Sequence, residues 1–221
     1  QGIPLVVGLY LMSSTREEVN GSGALVGAYA LRPHCFVAVD VTHARTPDGP
    51  KEETFGAGQG TVIGIGPNIT RWMSDRLIGK AEALGLAWSP EVMTGHSGTN
   101  AWRVQTAREG IATAVVSLPL KYMHSPVETL DLTDLRPRRR CWLPSWKVWE
   151  RKGVPSLLIE TLKTLCALPG VSSREDAVRE FLRKAVAPYA HRIRVDTMGN
   201  LLVEKKGRIP GSQKLMLAAH M

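Results

Sequence analysis

The chain has 221 residues, which is enough for one sizeable domain or two small ones. Its hydrophobic fraction of 43% is ordinary for a globular protein, and it lacks a run of about 18 apolar residues that would predict a membrane span. The net charge of +8 is concentrated in residues 136–152, so we expect neither a nucleic-acid-binding face nor a membrane partner. The three cysteines are widely spaced, which favours free thiols and a cytoplasmic location.

Residues 1–135 are predicted to alternate between strands and helices. The predicted strands are the apolar runs Ile3–Met12, Cys35–Val39 and Thr113–Leu118. The predicted helices are Asn20–Ala30, which is rich in small residues, and Trp72–Leu84, which has helically spaced apolar residues. This alternation predicts an α/β fold with a mixed, largely parallel sheet flanked by helices.

Residues 136–155 combine arginine, tryptophan and proline without helical or strand periodicity, which predicts a linker or junction. An RNA-binding segment is the alternative for this stretch. Residues 156–221 are regular again. They predict a helix at Leu157–Leu168, a second helix capped by Ser172 or Ser173, a hairpin of Arg192–Asp196 with Leu201–Lys205, and a strand at Leu215–Ala219.

Side chains that could carry chemistry follow the predicted strands. They are Glu17 and Glu18, Asp40 with His43, His124, and His220. Active sites collect at the carboxyl ends of strands in α/β sheets, and carboxylates and imidazoles are ligands of divalent metals. Each residue also has an ordinary structural explanation, such as an acidic turn or an Asx turn. Their shared position favours a metal site.

The order of several motifs resembles the tetrahedral and glutamyl aminopeptidases, a family often labelled endoglucanases. The C-terminal part of that family is similar to Ser13–Ala24, Val39–Ala44, Gly98–Ala101 (with Asn100 where Asp is usual) and Leu118–Asp131. The family's N-terminal part is similar to Leu165–Ser173, Val195–Leu201 and Lys214–Met221. We therefore expect a C-terminal portion of the catalytic domain at 1–135, a junction at 136–155 and an N-terminal portion at 156–221. Read-through of tandem genes, a joined fragment or a circular permutation could give this order.

The resemblance implies a zinc-peptidase-like α/β/α sandwich, incomplete and lacking the family's inserted β-domain. The implied function is a metal-dependent aminopeptidase that hydrolyses N-terminal residues from peptides, using water activated by two divalent ions, zinc or cobalt. Glu17 would be the general base. Glu18 and His124 would bind one ion, and Asp40 and His220 the other. Thr42, His43, Gly98 and Thr99 would contact the substrate or the metal ligands.

Two implications concern this chain in particular. The carboxylate that bridges the two ions has no counterpart here, so we expect weak or single-metal binding and negligible peptidase activity of the chain alone. Intact members of the family form homo-oligomers, typically dodecamers, through a segment that is missing here.

Two other functions are open. The chain could be a non-catalytic fragment that needs a partner chain to supply the missing segment. It could also be a glycoside hydrolase, which requires two carboxyl groups about 5–10 Å apart. Glu17 and Glu18 are adjacent on the backbone and are expected to point in different directions, which disfavours the glycoside hydrolase.

Overall fold

The computed structural model describes residues 5–135 and 156–221, so the predicted linker at 136–155 lies outside the described residues. The chain divides into two compact units. The first unit comprises Gln1–Ala38, Gly98–Thr113 and Glu150–Met221, and the second comprises Val39–Ser97 and Ala114–Trp149.

The elements alternate as expected of an α/β fold. The strands are β1 (Gly8–Ser14), β2 (Cys35–His43), β3 (Thr61–Ile65), β4 (Trp88–Val92), β5 (Ala112–Lys121), β6 (Thr129–Leu130), β7 (Arg192–Val195), β8 (Leu201–Lys205) and β9 (Lys214–His220). The α-helices are α1 (Glu17–Asn20), α2 (Ser22–Leu31), α3 (Arg71–Ala83), α4 (Asn100–Val104), α5 (Ser156–Ala167) and α6 (Asp176–Val186). Short 3-10 helices occupy Lys51–Glu53 and Ala187–Tyr189.

The sheet of the first unit has the order β2-β9-β1-β8-β7. Strand β9 comes last in the chain but lies between β2 and β1, parallel to both. Strands β8 and β7 continue the sheet in antiparallel pairs. The side chains of Phe36 and Met216 are fully buried. Burial of such large apolar side chains contributes about 1.5–3 kcal/mol each, so the late strands are integral to this unit.

Helix α2 packs closely on β1 because its buried face consists of small residues, as the sequence predicts. A Cβ atom on Gly23 would lie 2.3 Å from the carbonyl oxygen of Thr15. A Cβ atom on Gly27 would lie 2.5 Å from the sulfur of Met12. The glycines therefore set the distance between this helix and the end of β1.

In the second unit, β3 pairs with β4 in parallel and with β5 in antiparallel orientation, and β6 pairs with β5. Helix α3 packs on β3, where the Ser74 hydroxyl donates to the Gly64 carbonyl at 2.8 Å. The buried Asp134 carboxylate accepts hydrogen bonds from the backbone N–H groups of Gly58 and Gly60, each at 2.8 Å. This carboxylate fixes the turn before β3.

The structure confirms the mixed α/β class and most of the predicted elements, and it corrects several details. Strand β2 continues to His43, so the prediction that Asp40 ends the strand is wrong. Helix α6 is not capped by Ser172 or Ser173; its N-cap is Glu175, without a side-chain cap, and the Glu175 carboxylate instead accepts from the Ser173 N–H at 2.8 Å. Strands β3, β4 and β6 and helices α1 and α4 were not predicted from the sequence.

Two further expectations concern helices and thiols. No helix in the described part of the chain is both long and apolar enough to cross a membrane. Cys35 is half-buried, and the exposed Cys166 is a free cysteine.

Candidate metal centre

Three side chains of types that can ligate a metal meet in the first unit. One ligand atom each from Glu17, Glu18 and His220 lies within 4.8 Å of the other two. Glu17 and His220 are half-buried and Glu18 is exposed. The cluster therefore brings together residues from opposite ends of the sequence.

The pairing of β1 with β9 explains this meeting. The two strands run parallel, with Ser14 in register with His220, so their carboxyl ends lie side by side. The backbone N–H of Met221 donates to the carbonyl of Ser14 at 3.1 Å and continues the pairing past His220. After β1 the chain enters α1, which carries both glutamates.

The donor set suits a divalent cation. Two carboxylates and one imidazole are ligands that zinc and cobalt accept, and a cation would replace the repulsion of the carboxylates with attraction. Glu17 and Glu18 were expected to point in different directions, and one carboxylate oxygen of each lies within 4.8 Å of the other. The residues present therefore fit the metal that the sequence predicts.

The predicted contacts Gly98 and Thr99 precede α4 in the same unit. Gly98 has a φ of 65°, and the Thr99 hydroxyl caps the helix by accepting from the Ala101 N–H at 3.2 Å. Asn100, which follows this turn, is buried, and its side-chain amide donates to the Ser14 hydroxyl at 2.9 Å. These residues thus support the end of β1 through Asn100, a buried residue that the sequence analysis named only as a departure from the family motif.

The other predicted site residues belong to the second unit. Asp40 is half-buried within β2, and its carboxylate accepts from the Val41 N–H at 2.9 Å. His43 is exposed at the end of the same strand. His124 lies in the loop after β5, as expected, with a φ of 62°, and its N–H donates to the Glu128 carboxylate at 2.8 Å. Their roles as metal ligands or contacts stay predictions.

Glu91 is an acidic residue of β4 that the sequence analysis missed. The hydroxyl of the buried Thr42 donates to Glu91 Oε1 at 2.6 Å. Burial raises the pKa of Glu91, and the bond from Thr42 offsets only part of that effect. Glu91 Oε2 and Ser117 Oγ are buried as well, and Ser117 is among the groups that lower the pKa of Glu91. The sequence offered no signal for Glu91, because the strand β4 that carries it was not predicted.

Comparisons with known proteins bear on these residues. The family model described as M42 glutamyl aminopeptidase matches residues 2–139, which include Glu17, Glu18, Asp40 and His124 but not His220. The lysyl aminopeptidase of Pyrococcus furiosus is 38% identical over 131 residues, covering 58% of this chain and 37% of that protein.

Two solved structures resemble part of the chain. Aminopeptidase APDkam598 from the archaeon Desulfurococcus kamchatkensis gives a TM-score of 0.51 at 33% identity and covers 55% of this chain and 36% of that chain. A TET aminopeptidase from a marine sediment Thaumarchaeota archaeon gives a TM-score of 0.51 at 26% identity and covers 55% of this chain and 35% of that chain. The chain thus spans little more than a third of each relative.

Proposed function

This chain belongs to the M42 glutamyl aminopeptidase family, and from that premise we propose that it carries the metal-binding and proton-transfer groups of a metal-dependent aminopeptidase. The observation that supports the proposal is the approach of Glu17, Glu18 and His220 within 4.8 Å. The substrates proposed are peptides with a free N-terminus.

Each residue of the cluster has a proposed task. Glu18 and His220 supply ligands for a divalent cation. An ion held there, zinc or cobalt, would supply a Lewis acid that polarises the scissile carbonyl. The Glu17 carboxylate accepts a proton from the attacking water and returns it to the departing amine, so that the two products are a free amino acid and a shortened peptide.

The remaining assignments rest on the family resemblance. Asp40 and His124 are proposed as further ligands, and Thr42, His43, Gly98 and Thr99 as contacts of the substrate or the ligands. We keep the expectation that the chain alone binds about one ion and has negligible peptidase activity, because the bridging carboxylate has no counterpart here. Two-metal chemistry and oligomeric assembly are proposals for the intact family architecture.

Isothermal titration of the full chain with zinc or cobalt chloride tests the site. We expect about one ion per chain, with binding lost in Glu18→Gln and His220→Ala. His191→Ala is the matched control, because His191 is an exposed histidine of the same unit outside the cluster. Binding that survives both cluster substitutions, or no binding at all, would contradict the proposal.

Activity is measured separately with aminoacyl p-nitroanilides bearing lysine, glutamate or leucine. We expect negligible turnover by the chain alone, and loss of any metal-dependent turnover in Glu17→Gln. Tight uptake of two ions with rapid turnover would refute the incomplete site. Asp40→Asn and His124→Ala then show whether the residues of the second unit contribute to metal affinity.

A further inference from the structure

Asn200, the residue before β8, has a buried side-chain amide whose oxygen and nitrogen both form hydrogen bonds. It is 0% exposed. Its Oδ1 accepts from the backbone N–H of Thr15 at 2.9 Å. Its Nδ2 donates to the carbonyl of Gly23 at 2.9 Å and to Asp196 Oδ2 at 2.7 Å. A buried amide with these bonds is costly to displace, because the Thr15 N–H would lose this acceptor and the Gly23 carbonyl and the Asp196 carboxylate would each lose a donor.

The two backbone contacts bracket the segment that carries the carboxylates of the candidate metal centre. Thr15 directly follows β1, Gly23 lies in the first turn of α2, and residues 16–22 between them include Glu17 and Glu18. One side chain therefore holds both ends of this segment.

The segment needs such support because its own helix is short. Helix α1 has four residues, begins after Arg16 with a φ of 58° and lacks a side-chain cap. An isolated helical turn is unstable, since nucleation fixes several residues for few hydrogen bonds. The direction of Glu17 and Glu18 therefore depends on contacts of the segment with the rest of the unit. Asn200 supplies such contacts at the two ends, and Arg103 Nε donates to the Asn20 carbonyl at 2.8 Å.

Asn200 is itself held by the turn between β7 and β8. Asp196 Oδ1 accepts from the N–H groups of Met198 at 2.9 Å and of Asn200 at 3.0 Å. The Thr15 hydroxyl donates to the Met198 carbonyl at 3.0 Å. The turn and the end of β1 are thus joined by direct bonds on both sides of the amide.

The absence of a side chain at Gly23 allows Asn200 and Thr15 to approach the backbone of α2 closely. A Cβ atom there would lie 2.3 Å from the Thr15 carbonyl oxygen and 2.6 Å from Asn200 Oδ1. There is no room for a side chain at this position, so the amide bonds the backbone directly.

We propose that Asn200 is a positioning residue for the metal centre, which fixes Glu17 and Glu18 against His220. The inference rests on the proposed function. His220 reaches the cluster through β9, which pairs with β1, while the glutamates reach it through the segment that Asn200 holds. Loss of the amide would leave the imidazole in place and release the two carboxylates.

The test compares Asn200→Ala with Val203→Ala in the full chain. Val203 is a buried residue of β8, the strand that follows Asn200, and its truncation destabilises the hairpin without removing a polar contact of the 15–23 segment. Zinc affinity is measured by titration, and backbone hydrogen exchange at residues 16–22 is measured without metal. We expect Asn200→Ala to weaken zinc binding about 10–100-fold and to speed exchange, and Val203→Ala to leave both within about twofold.

If Asn200→Ala does not fold, a second variant tests the same positioning role. The double substitution Asn200→Asp with Asp196→Asn restores an amide–carboxylate pair in the turn but removes the donor to the Gly23 carbonyl. We expect stability near that of Val203→Ala, with zinc affinity still reduced.

The outcomes separate the two claims. Equal zinc affinity and equal exchange in the Asn200 and Val203 variants overturn the positioning role while the metal site stands. A wild-type chain that binds no zinc overturns the proposed function. In that case the exchange comparison alone decides whether Asn200 fixes the segment.

Discussion

Three helix glycines differ in what surrounds them. Alanine substitution should therefore stabilise the protein at one of them, be nearly neutral at the second and destabilise it at the third. Gly23 and Gly27 lie on the buried face of α2, and Gly79 lies in α3 with nothing within 4 Å of a Cβ position. The Cβ on Gly27 would meet the end of the Met12 side chain at 2.5 Å, whereas that on Gly23 would meet the Thr15 carbonyl oxygen at 2.3 Å.

The magnitudes follow from these contacts. Alanine in place of glycine gains about 1 kcal/mol in an open helix interior, so Gly79→Ala should stabilise by about that amount. Gly27→Ala should be nearly neutral, because a flexible methionine can rotate at a cost of about 1 kcal/mol that offsets the gain. Gly23→Ala should lose about 3 kcal/mol, because overpacking against backbone costs about 1–3 kcal/mol and the Asn200 bonds are strained as well.

Urea denaturation followed by circular dichroism measures the free energy of unfolding of each variant against the wild type. The expected order of stability is Gly79→Ala above wild type, Gly27→Ala close to wild type and Gly23→Ala clearly below. A Gly23→Ala protein as stable as Gly27→Ala would refute the reasoning, since it would show that helix α2 can move away from β1 at little cost.

Three further predictions concern carboxylates. Asp134→Asn should lower the free energy of unfolding by about 1.5–3 kcal/mol, because one of the two charge-assisted bonds to backbone N–H groups is lost. The control is Asp131→Asn, at a less buried site nearby, which should lower the free energy of unfolding by less in the same urea assay. The hydrogen bond from Arg183 lowers the pKa of Glu180 to about 2. The contribution of this pair to the free energy of unfolding is therefore fully present above pH 4.5, the ordinary pKa, and is lost as the pH falls towards 2. A carboxyl NMR titration should show Arg183→Ala returning the Glu180 pKa towards 4.5, and an unchanged titration would contradict the assignment. Burial raises the pKa of Glu91 above 4.5, so the folded protein loses stability relative to the unfolded chain as the pH rises and Glu91 ionises. Glu91→Gln does not ionise, so its free energy of unfolding should increase relative to that of the wild type between pH 4.5 and 7. A difference between the two proteins that stays constant with pH would argue against burial as the cause.

From the sequence alone, those local elements with a clear periodicity or turn signal could be predicted, together with the identity of the chemical groups. Strands β7 and β8 and the turn between them were predicted closely, because alternation and a Met-Gly-Asn turn are local signals. The motif order likewise pointed to the family that the comparisons confirm, and to Glu17, Glu18 and His220 as candidates.

Only the tertiary structure decided which of these groups meet. The placement of β9 between β1 and β2 brings His220 beside the glutamates, and such a long-range pairing has no signal in local periodicity. The same holds for Asn200, whose partners lie nearly the whole chain away, and for Glu91, whose contact with Thr42 depends on strand packing. Strand ends were misjudged at Asp40 because pairing with a neighbouring strand, and not hydrophobicity along the chain, sets where a strand stops.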